Sequence, residues 1–185
     1  MSKNRDRICP VEKAGSLDTR LRRLVQNPRR LLKPYLTEGM TVLDFGCGPG
    51  FFSIEIAKMV GRSGRVIAAD LQDGMLRIIR DKIIGTELES RIVLHRCEAN
   101  KIGLAETVDF ALLFYVVHEI PDKDRFFEEI TSLLNPGGRV LIVEPPFHID
   151  KRKFEITLDT ARAAGLAVTA RPHLYFNKCA LLTKV

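Results

Sequence analysis

An open, mainly parallel β-sheet with helices on both faces is predicted by three features of this 185-residue chain. Short apolar runs alternate with helix-period segments in the order β-α-β-α-β-α-β-α-β, closing with a helix and a strand pair. The run from Val108 to Phe114 is apolar almost throughout, as a strand covered on both faces should be. The first strand leaves through VLDFGCGPGFFS, Val42 to Ser53, where three glycines at alternate positions meet residues able to open a helix. With 45% hydrophobic residues and no internal repeat or low-complexity linker, one domain with a continuous core is expected.

The elements follow in order. Leu21, Leu24 and Val25 share a helical spacing that Leu31, Leu32, Tyr35 and Leu36 resume after Asn27-Pro28, so a helix restarts with Pro28 at its first position. Thr41 to Phe45 is the first strand, and the helix after the glycine turn spans about Phe51 to Val60. Arg65 to Ala69 is the second strand, ending at Asp70, and Met75 to Ile84 a helix stopped by Gly85. Arg91 to His95 and Val108 to Phe114 are strands three and four. Asp122 caps a helix that carries Phe126, Phe127, Ile130, Leu133 and Leu134 on one side, and Asn135-Pro136-Gly137-Gly138 ends it. Arg139 to Glu144 is strand five, Lys151 to Ala164 the last helix, and Leu166–Arg171 and Cys179–Val185 the closing strands.

Charge divides the chain. Residues 1–36 hold ten Lys and Arg against three acids, +7 of the total +6, which leaves −1 for the remainder. The expected organisation is a basic helical arm or lid over 1–36 and a globular domain over 37–185. Such an arm could meet nucleic acid or an anionic substrate, but it has no aromatic stacking set, and a solvated face of a surface helix is the simpler account. The polar start MSKNRDRICPVEKAG lacks the apolar region of a secretory leader, and no segment reaches membrane-span length. Cys9, Cys47, Cys97 and Cys179 lie far apart without ligand spacing, so no metal site is expected and a reduced, cytoplasmic chain is.

Ligands of open α/β sheets sit beyond the carboxyl ends of the strands, where the first βα turn lies. Gly46, Gly48 and Gly50 space as GxGxG, whereas a dinucleotide fingerprint needs a third glycine where Phe51 stands. Asp44 would also repel a pyrophosphate. A guest bearing an ammonium and a sulfonium but no phosphate fits better, and S-adenosylmethionine has both. Asp70 stands where an acid accepts ribose hydroxyls, Leu71 and Met75 can flank an adenine, and Glu98 beside Ala99 can accept its amino group. Cys47 reads as a small filler within the turn. Tyr115 and His118 lie just past strand four on the acceptor side: His118 is the candidate base, Tyr115 a wall or orienting hydroxyl, and Phe114 a cofactor-lining ring. His173 and Tyr175 could overhang the same side.

VLDFGCGPG, VIAADLQDGML, HRCEANKIGL, VDFALLFYVVHEIPD and LLNPGGRVLIVEP, in this order, resemble the motifs of class I S-adenosylmethionine-dependent methyltransferases over about Leu31 to Val185. The small-molecule branch that includes the ubiquinone and menaquinone enzymes is nearest in tone. VVHEIPD resembles its LHHL segment, with Glu119 in place of the second histidine. The resemblance implies a Rossmann-like, doubly wound α/β fold of seven strands in order 3-2-1-4-5-7-6, the last antiparallel. It also implies S-adenosylmethionine as cofactor, S-adenosylhomocysteine as product, and a small-molecule acceptor bound by a monomer or homodimer. An RNA or protein methyltransferase using the arm, a non-catalytic cofactor-binding protein and an NAD dehydrogenase stand as alternatives.

Overall fold

A computed structural model describes residues 26–98, 101–146, 149–174 and 176–185. The expectations for Leu21, Leu24, Val25, Cys9, Ala99, Tyr175 and most of the basic arm lie outside the described residues.

Asn27 caps the first described helix, α1 (Pro28–Leu32): its side chain accepts from the Arg30 amide at 3.1 Å, and Pro28 occupies the first turn. Strands β1 (Thr41–Phe45), β2 (Arg65–Asp70), β3 (Ile92–Arg96) and β4 (Val108–Phe114) alternate with helices α2 (Ser53–Met59) and α3 (Asp73–Ile83). A 3-10 turn, Val117–Glu119, then leads to α4 (Lys123–Leu133), β5 (Leu134–Glu144), α5 (Lys151–Ala163), β6 (Leu166–Ala170) and β7 (Lys178–Lys184). The sheet runs β3-β2-β1-β4-β5-β7-β6, with β7 antiparallel to both neighbours, as the motif set implied.

Side-chain alternation along the central strands divides the core between two faces. Val42, Phe110 and Leu112 pack with Ile56, Val60 and Ile79 beneath α2 and α3. Leu43, Ala111 and Leu113 pack with Phe127, Ile130 and Leu158 beneath α4 and α5. The same alternation turns Asp44, one step past Leu43, towards α2. Both faces of β1 and β4 are thus buried, which accounts for their nearly continuous apolar run.

One boundary departs from expectation. Strand β5 begins at Leu134, five residues early, because Leu134 already pairs with Val108 before the register jumps to Phe110–Arg139. The irregularity absorbs Pro136 and Gly137, the latter at φ 73°, so residues that end the helix also sit inside an interrupted strand. Among the described residues no helix is long and apolar enough to cross a membrane.

Candidate functional site

A cleft of about 200 Å³ opens at the carboxyl ends of β1, β2 and β4. Its floor is the glycine turn, where Gly46, Gly48 and Gly50 all have positive φ (69°, 53° and 84°). Two of them have no room for a side chain: a Cβ on Gly46 would come within 2.6 Å of Val116, and one on Gly50 within 2.8 Å of Ile79. Gly48 is different. A Cβ there would meet nothing within 4 Å, so bare main chain faces the cleft at this point.

The turn is held from inside the protein. The amides of Gly46 and Cys47 donate to the Ala69 carbonyl (2.8 and 3.1 Å), Gly48 to Asp70 Oδ2 (2.9 Å) and Gly50 to the Cys47 carbonyl (3.1 Å). A phosphate cradle needs such N–H groups pointing at the ligand. Here these four are committed, which supports the reading against a dinucleotide.

The acids take the positions that the strand-end argument gave them. Asp44, 2% exposed, accepts from the Ser53 hydroxyl at 2.5 Å and so ties the end of β1 to the start of α2. Asp70, at the end of β2, accepts from the Gly48 and Gln72 amides through separate oxygens, both at 2.9 Å. Burial raises its pKa, and those amide bonds, Gln72 first, oppose the rise. Glu98 lines the same cleft from beyond β3, with Leu71, Met75 and Phe114 around it. Phe51, Phe52, Phe114 and Tyr115 form an aromatic chain, with centroid separations of 5.1, 4.4 and 4.3 Å. Cys47 and Cys97 also line the wall. Burial, with Asp44 and Asp70 nearby, pushes the Cys47 thiol well up, and burial takes Cys97 to about 12, so both are neutral thiols.

On the acceptor side the backbone is strained. Tyr115 has φ 59°, the one non-glycine residue with positive φ among those described. Its amide donates to the Val143 carbonyl at 2.8 Å. Its hydroxyl donates to Asn177 at 2.7 Å and accepts from Gln26 at 2.9 Å, so the start of the described chain, within the 1–36 segment, and the β6–β7 loop meet over this ring. His173, in the same loop, is exposed.

The next two polar residues diverge. His118 turns to Glu144, a residue only 2% exposed: Nδ1 lies 2.6 Å from Oε2, and the His118 amide donates to Oε1 at 3.0 Å. The Glu144 hydrogen bond raises the imidazole pKa above its ordinary value. Glu119 instead lines the cleft together with Val116, Ile120 and Pro121. Burial pushes its carboxyl up to about 7, helped by Asp70 and Glu144 and opposed by His118. Sequence reasoning passed over Glu119 as a departure from a histidine pair. It also missed Ser53, whose place beneath Asp44 was foreshadowed only by helix phase.

Among the described residues every charged side chain that lines the cleft is acidic: Asp44, Asp70, Glu98 and Glu119. An electron-rich, open site of this kind suits a cationic guest with a ribose and no phosphate, so the donor set fits S-adenosylmethionine.

The comparisons agree with this geometry. A family model described as a methyltransferase domain matches residues 36–169. The ubiquinone/menaquinone biosynthesis C-methyltransferase UbiE of Cellvibrio japonicus is 34% identical over 107 residues, 57% of this chain and 43% of the relative. Its counterpart from Haemophilus ducreyi is 32% identical over 108 residues, 58% of this chain and 42% of the relative. The chain therefore spans about two-fifths of the length of these curated relatives. A crystal structure of a SAM-dependent methyltransferase from Aquifex aeolicus superposes with a TM-score of 0.81 at 29% identity, covering 95% of this chain and 98% of that one.

Proposed function

This chain belongs to the methyltransferase-domain family, and from that premise we propose that it methylates a small, uncharged acceptor at the expense of S-adenosylmethionine. The observation that carries the proposal is the acid-lined cleft over a glycine turn whose amides are already committed. When bound, the cofactor supplies an electrophilic methyl group on a sulfonium. The chain's own residues hold and shield. Asp70 would take the ribose hydroxyls, with the lone pairs not used by Gly48 and Gln72. Glu98 would take the adenine amino group, with Leu71 and Met75 on the ring faces. Asp44 and main-chain carbonyls of the glycine turn, whose amides are already taken, would hold the ammonium of the amino-acid end.

At the other end Phe114 and Tyr115 would form an apolar wall, and the Tyr115 hydroxyl would orient the acceptor. We assign His118 a positioning role. With Nδ1 and the main-chain amide both held by Glu144, and the ring outside the lining of the cleft, His118 suits an anchor for the Val117–Glu119 turn. Much of the rate can come from holding nucleophile and methyl carbon near attack geometry with water excluded. The acceptor class follows the charge and the walls: apolar, aromatic, without an anionic group. The curated relatives, named for carbon methylation in ubiquinone and menaquinone biosynthesis, point the same way. We place the protein in the cytoplasm as a monomer or homodimer.

The +7 charge of residues 1–36 favours a second reading, in which the acceptor is RNA or protein. Incubation with methyl-tritiated S-adenosylmethionine and a fractionated bacterial lysate separates the two. Label in the organic-soluble, small-molecule fraction is expected. Label confined to RNA or protein would replace the first reading with the second.

A further inference from the structure

We propose that Glu129 is a positioning residue for the adenine end of the cleft: it fixes the segment that follows Glu98, and through it the preference for a purine bearing an amino group. This rests on the methyltransferase reading above and deepens it. Glu98 would contact the base, whereas Glu129 acts through the chain that carries Glu98.

The hydrogen bonds carry the inference. Glu129 stands on α4, and its two carboxylate oxygens accept from successive amides of a distant segment: Oε2 from Ile102 at 2.9 Å and Oε1 from Gly103 at 2.7 Å. The carbonyl of Ile102 is held as well, accepting from His95 Nε2 at 2.6 Å. One residue earlier, Lys101 joins Glu98 in both directions. The Glu98 amide donates to the Lys101 carbonyl at 3.0 Å, and the Lys101 amide to the Glu98 carbonyl at 3.4 Å. The path from α4 to the adenine acid is thus Glu129, Ile102, Lys101, Glu98, with a hydrogen bond or a covalent link at every step. Glu98 lines both the cleft and a second, smaller cavity of about 20 Å³, whose wall also includes Lys101, Ile102 and Glu129.

The helix end of this path is rigid. Phe126, one turn before Glu129, and Ile130 beside it are buried in the same core cluster as Ile102. The Phe126 ring meets that of Phe45, at the end of β1, with 4.9 Å between centroids, so α4 is tied to the strand that enters the glycine turn. The Glu98 end is exposed. Before it, the Cys97 amide donates to the Asp70 carbonyl at 3.0 Å; after it, Glu129 supplies the anchor. An exposed acid recognises a base selectively only where its main chain is fixed, because a side chain on a loose segment loses more freedom on binding and misses its geometry. A carboxylate suits the anchoring task, since amide bonds to an ionised acceptor are the stronger kind and two of them set its orientation. Removing it also takes the acceptor from the Ile102 amide, in a residue only 2% exposed, so a general structural duty must be told apart from positioning. Base selectivity does so.

The test uses the full chain, S-adenosylhomocysteine, and its analogue with hydrogen in place of the adenine amino group. Calorimetry on wild type should show the amino compound binding at least about tenfold tighter, the low end for a hydrogen bond to a charged group. Glu129→Ala should bring that preference below about threefold, by weakening the amino compound while the analogue stays within about twofold of wild type. Glu98→Ala should do the same, and adding Glu129→Ala to it should change neither affinity by more than about twofold, because the second residue acts through the first. Glu129→Gln, which keeps the shape and one acceptor oxygen, serves if the alanine variant does not fold, and should lower the preference by at least about threefold. In the ligand-free protein, amide exchange at Ile102 and Gly103 should quicken by at least about tenfold in Glu129→Ala. Equal weakening of both compounds, additive losses in the double variant, or unchanged exchange at both amides would overturn the proposal. So would equal affinity of wild type for the two compounds. Failure of wild type to bind either compound would instead sink the methyltransferase reading itself, on which the proposal rests.

Discussion

Asp70 carries two duties at once, and this shapes what its substitution does. In the protein alone it braces the glycine turn through Gly48 and the start of α3 through Gln72. Asp70→Asn keeps the shape but loses the charge, and one carboxylate oxygen becomes a donor facing an amide. We expect S-adenosylmethionine affinity to fall by about 1.5–3 kcal/mol, the range for a hydrogen bond to a charged group; unchanged affinity in calorimetry would remove Asp70 from the ribose site. Glu119 and His118 make a stability prediction of definite sign. Both have folded-state pKa values above their ordinary ones, so the native state binds more protons than the unfolded chain over the intervening range. Their contribution is fully present below about pH 4.5 for Glu119, and below about 6.5 for His118. It is lost as pH rises through about 7 for the first and through the raised histidine value for the second. Urea unfolding from pH 5 to 8 should show falling stability, and Glu119→Gln should flatten the Glu119 part; an unchanged slope in that variant would show that burial does not tune this carboxyl.

The elements were legible where side-chain period and burial agree. β1, β4 and their helices declare themselves because both faces of the sheet are covered, and Asn27-Pro28 marks α1 because cap and first-turn chemistry coincide. β5 was misread at its start because Asn135-Pro136-Gly137-Gly138 terminates a helix by local rules, while pairing of Leu134 with Val108 is a long-range event that no local rule contains. One polar residue secures that region. Asp109 accepts from the Thr41 amide at 2.8 Å and from the Asn135 side chain at 2.7 Å, linking β1, β4 and the irregular start of β5. Asp109→Ala should cost about 1–3 kcal/mol in urea unfolding, because the Thr41 donor loses its partner, with the cofactor site left intact; a loss under 0.5 kcal/mol, on the order of ordinary surface changes, would show that water replaces it. The site was legible at strand ends, since the backbone delivers Asp44, Asp70 and Glu98 there whatever the loops do. It was less so after β4, where the 3-10 turn and the left-handed Tyr115 decide that Glu119 rather than His118 meets the cleft.

At the scale of the whole molecule, a nearly neutral domain follows a strongly basic segment, and the two meet where Gln26 donates to Tyr115. If the segment acts as a lid, removing residues 1–25 should leave cofactor affinity unchanged and lower turnover by more than about tenfold, the effect of water entering a closed site; full turnover would show that it serves something other than closure. Fold and cofactor cleft stand apart from that question, because every cofactor contact assigned above lies between Asp44 and Phe114. The most direct measurement is an amide NMR titration of the intact chain with S-adenosylmethionine. Shifts concentrated at Gly46, Gly48, Asp70, Leu71 and Glu98, with one-to-one stoichiometry and no displacement by NADH, are the expected result. A titration that leaves those amides unmoved, or NADH competing at equal concentration, would contradict the account.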